Sequence, residues 1–269
     1  MNNSELLFVT SFSTSMYEEY GRNMVESWLQ HSDENMMLYV YSENFDTLHI
    51  DSPKIKILNL YEDPWLNTWL LTNGHRIPKC YGGLADHDDK EDKEALWAKK
   101  TSAIYNAFLS ANSHTKIIWL DCDLIVTGCL KQLINTNIDI CYIAGWKRKK
   151  HKIIDTSVLV LTKCKSVETV ITVIRKTYDS MATKWKTFKI RSDGHVLAIV
   201  LNDLIGPEYV FPDSEFVLSS GAVCKDVCNT RTTGDALLYS DFGSIIIRQS
   251  GPKLFTTKNN YKRKKRKKK

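Results

Sequence analysis

The chain has 269 residues, 43% hydrophobic, 25% charged and 10% aromatic, which is enough apolar material to bury a sizeable core. This excludes a disordered, collagen-like or disulfide-stapled chain, and the length suits one large domain or two small ones. The formal charge of +6 belongs to a tail: Lys262 to Lys269 holds eight of the 37 cations, and without them 29 basic residues face 31 acidic ones.

A run of like charge this dense does not collapse, so residues 258–269 are expected to form a disordered basic tail. Met1 to Glu5 lacks a basic region, and Leu6 to Val9 is too short for the apolar part of a secretory leader. No apolar run approaches the ~18 residues of a membrane span. The seven cysteines are odd in number and follow no framework spacing. A reducing, cytoplasmic setting is therefore expected, with a nucleus or a virus-infected cytoplasm as variants. Cys224 and Cys228 lack a second Cys/His pair, so no zinc site is expected there.

Leu6 to Phe12 is an apolar run without helical period and reads as a buried strand. Ser13 to Ser15 supply a cap, and Glu18 follows Ser15 at capping-box spacing. Tyr17 to His31 then carries a helical apolar stripe. Met37 to Tyr41 and Lys54 to Leu60 are the next strands. Asp63 to Glu94 breaks the pattern and reads as an insertion or lid. Its acidic cluster, Asp86 to Asp89, follows no apolar strand and reads as a solvated loop. Trp65 and Trp69 in the same segment suit core packing better than stacking on a sugar or base.

Trp97 to Ala111 is an amphipathic helix, and Lys116 to Leu120 is a strongly apolar strand. Ile138 to Ala144 and Ser157 to Leu161 are further strands. Val167 to Met181 and Gly194 to Leu204 are helices, and Ser244 to Ile247 is a last strand. Alternating strands and helices argue for an α/β fold with a mostly parallel central sheet flanked by helices. Ligands in such sheets bind beyond the carboxyl ends of the strands.

The segment KIIWLDCDLIV, Lys116 to Val126, runs an apolar strand straight into Asp121-Cys122-Asp123. In an extended chain Asp121 and Asp123 project to one side. Two carboxylates at the end of a buried strand are costly unless a cation lies between them. Mg²⁺ or Mn²⁺ takes such carboxylates and completes its shell with phosphate oxygens.

This arrangement resembles the DxD motif of GT-A nucleotide-sugar glycosyltransferases. Several other segments are similar to that family: VTSFSTSMYEEYGRNMVESWLQH at the start, WAKKTSAIYNAF before the motif, IIDTSVLVLT after it, then IRSDGHVLAIVL and IIIRQSGPKLF. The resemblance spans roughly residues 5 to 255 and implies one GT-A-like catalytic domain over residues 1–257, with 63–94 as its insertion. A DNA-modifying type, as in phages and large viruses, is one branch of it.

The resemblance implies a UDP-sugar or other nucleoside diphosphate sugar as donor, with Mn²⁺ or Mg²⁺ held by Asp121 and Asp123. Asp121 then also faces the donor. Lys100 aligns with the family's donor-side cation, with Lys99 one position away as its competitor. Thr10 and Ser11 would line the nucleoside site. Many members place a metal-binding His before the closing Gly, but here Arg248 stands three residues before Gly251. Arg does not ligate cations, although it pairs with diphosphate. Lys253 is the family-like lysine, shifted by one.

Transfer needs a group to take the acceptor proton. Asp193 is the first candidate, Asp155 serves mainly as an acceptor contact, and His195 ranks third. Whether the anomeric configuration is inverted or retained is open at this stage. Lys147 to Lys152 carries five formal cations and reads as a loop. With Lys262 to Lys269 it offers two basic patches suited to DNA, whose hydroxymethylated bases would accept the sugar. The alternatives are a protein or glycan acceptor, a nucleotidyltransferase, and a non-enzymatic nucleic-acid-binding protein. The nucleotidyltransferase reading lacks a glycine-rich phosphate loop, since Thr10 to Ser15 contains no glycine.

Overall fold

The computed structural model describes residues 6–43, 48–73, 93–133, 138–143, 147–148, 151–152, 155–184, 193–205, 215–217, 223–227, 229–231, 237–239 and 246–248. The uninterrupted apolar run at Leu6–Phe12 forms strand β1, and its buried residues face both sides. A short helical turn, α1 (Thr14–Met16), leads through a π turn, Tyr17–Gly21, into α2 (Arg22–His31). Ser13, rather than Ser15, caps this unit, its hydroxyl accepting from Met16 N at 3.3 Å. Ser15 instead meets the Ser13 hydroxyl at 2.9 Å. Gly21 lies in a tight place where the π turn ends: a Cβ there would lie 3.2 Å from Tyr17 and 3.3 Å from Phe12, so those rings would have to shift by a few tenths of an ångström.

Strands β2 (Met36–Ser42) and β3 (Ile55–Asn59) follow. The start of the expected irregular insertion is a helix, α3 (Pro64–Asn73). Pro64 suits a first helical position, and Asp63 before it accepts from Trp65 N at 3.0 Å. The helix shows no clear amphipathic stripe in sequence because its exposed face carries Leu71 while its buried face, with Leu66 and Trp69, includes Asn73. Residues 74–92, with Asp86 to Asp89, lie outside the described residues.

Helix α4 (Lys93–Ser110) begins four residues before the expected start. Then come β4 (Lys116–Leu120), β5 (Leu124–Val126) and β6 (Ile140–Ile143). The expected basic loop is a two-stranded hairpin, β7 (Lys147–Arg148) with β8 (His151–Lys152). Strand β9 (Asp155–Thr162) and helices α5 (Lys165–Lys184) and α6 (Asp193–Ile205) complete the larger elements. Five short strands end the described chain: β10 (Glu215–Val217), β11 (Val223–Val227), β12 (Asn229–Arg231), β13 (Leu237–Tyr239) and β14 (Ile246–Arg248).

Eight strands form the central sheet in the order β10-β11-β6-β9-β4-β1-β2-β3. β9 and β10 run against the other six, so the sheet is mostly parallel. A smaller sheet, β12-β13-β14-β5, grows from the segment that follows β4. The α/β class with helices flanking a mostly parallel sheet is as the sequence implies.

Alternation along the strands sorts the core into two layers. Leu7, Val9, Ile117 and Trp119 pack with α3, α4, α5 and α6 on one face. Leu6, Phe8, Phe12, Ile118 and Leu120 pack with α2 on the other. Every residue of β4 is buried, which is the pattern of a strand covered on both faces.

Lys116 opens β4 and is buried, its Nζ donating to Ile138 O at 2.7 Å and Thr162 Oγ1 at 2.6 Å. Burial lowers its pKa from the ordinary 10.5. Between that lowered value and 10.5 the unfolded chain binds more protons than the folded one, so stability rises with pH in this window. Urea unfolding at rising alkaline pH should show this gain in the wild type and a smaller one in Lys116→Met. Equal slopes for the two proteins would contradict it.

Candidate active site at the carboxyl end of the central strands

Strand β4 ends at Leu120, and the chain then turns, with Leu124 N donating to Asp121 O at 3.3 Å. Asp121 and Asp123 therefore stand on a turn, not on an extended strand as the sequence suggests. Asp121 N still reaches across to Ser157 O of β9 at 2.9 Å. On the far side of the turn, Val126 N donates to Ser27 Oγ of α2 at 3.0 Å, and Ser27 Oγ donates to Met24 O at 2.9 Å. Both ends of the turn are thus pinned to separate elements.

Asp121 accepts at Oδ1 from Lys100 Nζ at 2.9 Å and from Trp119 Nε1 at 2.7 Å. The indole reaches its neighbour two residues on because alternate strand residues share a face. Lys100 Nζ also donates to Thr156 O at 2.7 Å and Thr156 Oγ1 at 3.0 Å, and it lies 5.1 Å from the Trp119 ring. The Lys100 side chain is 9% exposed and that of Asp121 27%. Lys99, its neighbour on α4, goes elsewhere: it forms a buried ion pair with Glu43 at the end of β2. Of the two lysines, Lys100 is the one at the aspartates.

Asp123 holds one carboxylate oxygen, Oδ1, away from water. Burial, with help from both carboxylates, pushes the Cys122 thiol well above its ordinary pKa of 9.0 and keeps it protonated. It is no nucleophile at neutral pH. Tyr20, on the π turn, is pushed up to about 12, first by burial, then by Glu19, with smaller contributions from Asp123 and Cys122. The π turn thus presents a neutral phenol near the aspartate turn.

Thr10 is fully buried, and its Oγ1 has no hydrogen-bond partner among the described residues. Ser11 is half-buried at the same strand end. Asp155 opens β9 beside Thr156, and Asp193 opens α6. Arg248 ends β14 in register with Leu124, next to Asp123. His195 falls within α6. Lys253 and Lys262 to Lys269 lie outside the described residues. Trp69 is buried, and the rings of Trp65, Trp69 and Tyr178 pack together, as the core reading expects.

The sequence reading missed Trp119, Thr156 and Tyr20. Trp119 at two residues before Asp121 was a readable signal, since that spacing on a strand puts both on one face. Thr156 and Tyr20 reach the site only through tertiary packing.

The family resemblance implies a divalent metal, and the donor set can be tested against it. Two carboxylates on one turn, one with an oxygen shut off from water, are hard donors suited to Mg²⁺ or Mn²⁺. No group of three or more His, Cys, Asp or Glu among the described residues forms a complete cage. The residues fit a metal that draws its remaining ligands from phosphate and water.

No protein-family profile and no curated protein matches the sequence. Among solved structures, the chain is similar to the apo form of glycosyltransferase GlyE from Streptococcus pneumoniae TIGR4, with 16% identity and a TM-score of 0.45. That similarity covers 74% of this chain and 44% of the other, so the chain spans less than half the length of GlyE. It is also similar to galactosyltransferase LgtC, solved with donor and acceptor sugar analogues, with 12% identity and a TM-score of 0.45 over 71% of this chain and 69% of the other. No helix among the described residues is long and apolar enough to cross a membrane.

Proposed function

We propose that the chain is a GT-A-type glycosyltransferase that moves a sugar from a nucleoside diphosphate sugar, a UDP-sugar in the first instance, to a hydroxyl acceptor. The observation that carries this is the aspartate turn at the carboxyl end of β4, clamped by Lys100 and Trp119 and flanked by Arg248.

Asp121 and Asp123 would hold the Mn²⁺ or Mg²⁺. When bound, the metal neutralises charge that grows on the departing diphosphate. Arg248, beside the turn, pairs with the same diphosphate, and Lys253 follows it in sequence. Thr10 and Ser11 mark the nucleoside end at the mouth of β1. In the transfer, the bond from the anomeric carbon to the diphosphate oxygen breaks, and the diphosphate leaves with the electron pair. A new bond forms from that carbon to the acceptor oxygen, whose proton passes to Asp193 at the start of α6. Asp155, at the start of β9, contacts the acceptor.

The testing experiment is a screen of nucleotide sugars for thermal shift and hydrolysis with Mn²⁺, Mg²⁺ or EDTA. One donor should raise the melting temperature and turn over only with metal. A response to nucleoside triphosphates and to no sugar nucleotide would favour the nucleotidyltransferase alternative instead.

The acceptor in this reading is DNA with hydroxymethylated bases, drawn in by Lys147 to Lys152 and by the terminal run. Deleting Lys262 to Lys269 should weaken DNA binding and flatten its dependence on salt, with donor hydrolysis kept. Unchanged DNA affinity in the shortened chain would remove the tail from the acceptor site.

A further inference from the structure

A lysine ammonium has three N–H donors. Those of Lys100 meet three acceptors within 3.0 Å: Asp121 Oδ1, Thr156 O and Thr156 Oγ1. Two of the three belong to β9, so the charge is anchored to the sheet and does not simply follow Asp121. Lys100 also lines a largely apolar pocket whose other walls include Ile104, Leu159, Leu161 and Ile171. At 9% exposure its charge is poorly screened by water. The Trp119 N–H adds further positive density on the same oxygen of Asp121.

We propose that Lys100 is the resident cation of the aspartate turn and makes divalent-metal binding depend on the diphosphate. The inference rests on the reading that Asp121 and Asp123 hold the metal, and it concerns how that site is regulated. An ion approaching Asp121 meets a fixed ammonium on the same carboxylate. The repulsion weakens binding of the bare ion. A diphosphate brings the negative charge that offsets it, so metal and nucleotide bind each other's complex more tightly than either binds alone. By linkage the coupling is the same in both directions. Lys100 acts through Asp121 and is a positioning residue in this scheme, not one that must touch the sugar. Trp119 supports it by fixing the Oδ1 direction.

The test measures free Mn²⁺ by electron paramagnetic resonance during titration of wild type, Lys100→Met and Trp119→Phe, each with and without UDP. Wild type should bind Mn²⁺ at least about ten-fold more tightly with UDP than without it. Lys100→Met should bind Mn²⁺ alone about ten-fold more tightly than wild type, and the gain from UDP should shrink. Trp119→Phe keeps the charge and loses one N–H, so its change should have the same direction and be smaller. Lys100→Gln, which keeps polar donors near Thr156, serves if circular dichroism shows Lys100→Met to be unfolded. Mn²⁺ affinity that is unchanged or lower without the lysine charge would overturn the inference while the metal-site reading stands. Absence of Mn²⁺ binding in every protein, with and without UDP, would sink the metal-site reading and the inference with it.

Discussion

Asp123→Asn should lower metal-dependent donor turnover by at least about 100-fold while the protein melts at the same temperature or slightly higher. The loss follows from charge: the amide keeps the size of the side chain but gives up the anionic oxygen that a hard cation requires. Removing one preorganised electrostatic contact to a developing negative charge typically costs on the order of 10²–10³ in rate. The stability expectation has a separate origin. Asp123 holds an oxygen away from water on the same turn as Asp121, and both carboxylates act on the Cys122 thiol between them. Relieving like charge in such a place favours the folded state. Opposite movements of rate and stability distinguish a working carboxylate from a structural one. A variant that keeps most of its turnover would remove Asp123 from the metal site, and one that loses both rate and stability would mark it as a fold residue.

Arg175→Met should destabilise the chain by about 3–5 kcal/mol, the usual result of breaking a buried ion pair from one side. Arg175 Nη2 donates to both oxygens of Asp63 at 2.8 Å, with side-chain exposures of 12% and 4%. Its guanidinium lies 4.3 Å from the Trp65 ring and 3.9 Å from the Tyr105 ring. Ser102 Oγ donates to the same carboxylate at 2.6 Å. One acidic residue therefore joins α3, α4 and α5. Methionine fills much of the arginine volume but leaves Asp63 charged and buried. The melting temperature should fall by about 10 °C. Asp63→Asn in the same chain should recover part of the loss, since the uncompensated charge goes with it, and a double-mutant cycle measures the coupling. A drop below about 1 kcal/mol for Arg175→Met would show that the pair contributes little. Because α4 also carries Lys99 and Lys100, a destabilised clamp should reduce turnover as well.

The long apolar elements were legible because their burial leaves a mark in composition. Leu6 to Phe12 and Lys116 to Leu120 have the same limits in sequence and structure, since each is buried on both faces and bounded by polar residues. The place of the aspartates at the end of β4 was legible for the same reason, since the apolar run stops at Leu120 and charge follows directly. Helix α3 was not, because an exposed Leu71 and a buried Asn73 blur the contrast between faces that periodicity detects. The strands from β10 to β13 are three to five residues long, and what makes them strands is their partners, whereas β14 overlaps the strand expected at Ser244 to Ile247. Lys100 was the first choice in sequence, with Lys99 one position away as its competitor. Their separation into a link to Asp121 and a link to Glu43 depends on where α4 crosses the sheet.

The pairing of β14 with β5 also has a meaning for synthesis. Both aspartates leave the ribosome well before the strand that lies against their turn, which comes near the end of the described chain. The parallel strands β1 to β4 can begin to assemble while the rest is still being made. The flank of the turn is completed only by a late, long-range closure. A nascent or prematurely terminated chain therefore carries both acidic residues without Arg248 opposite them.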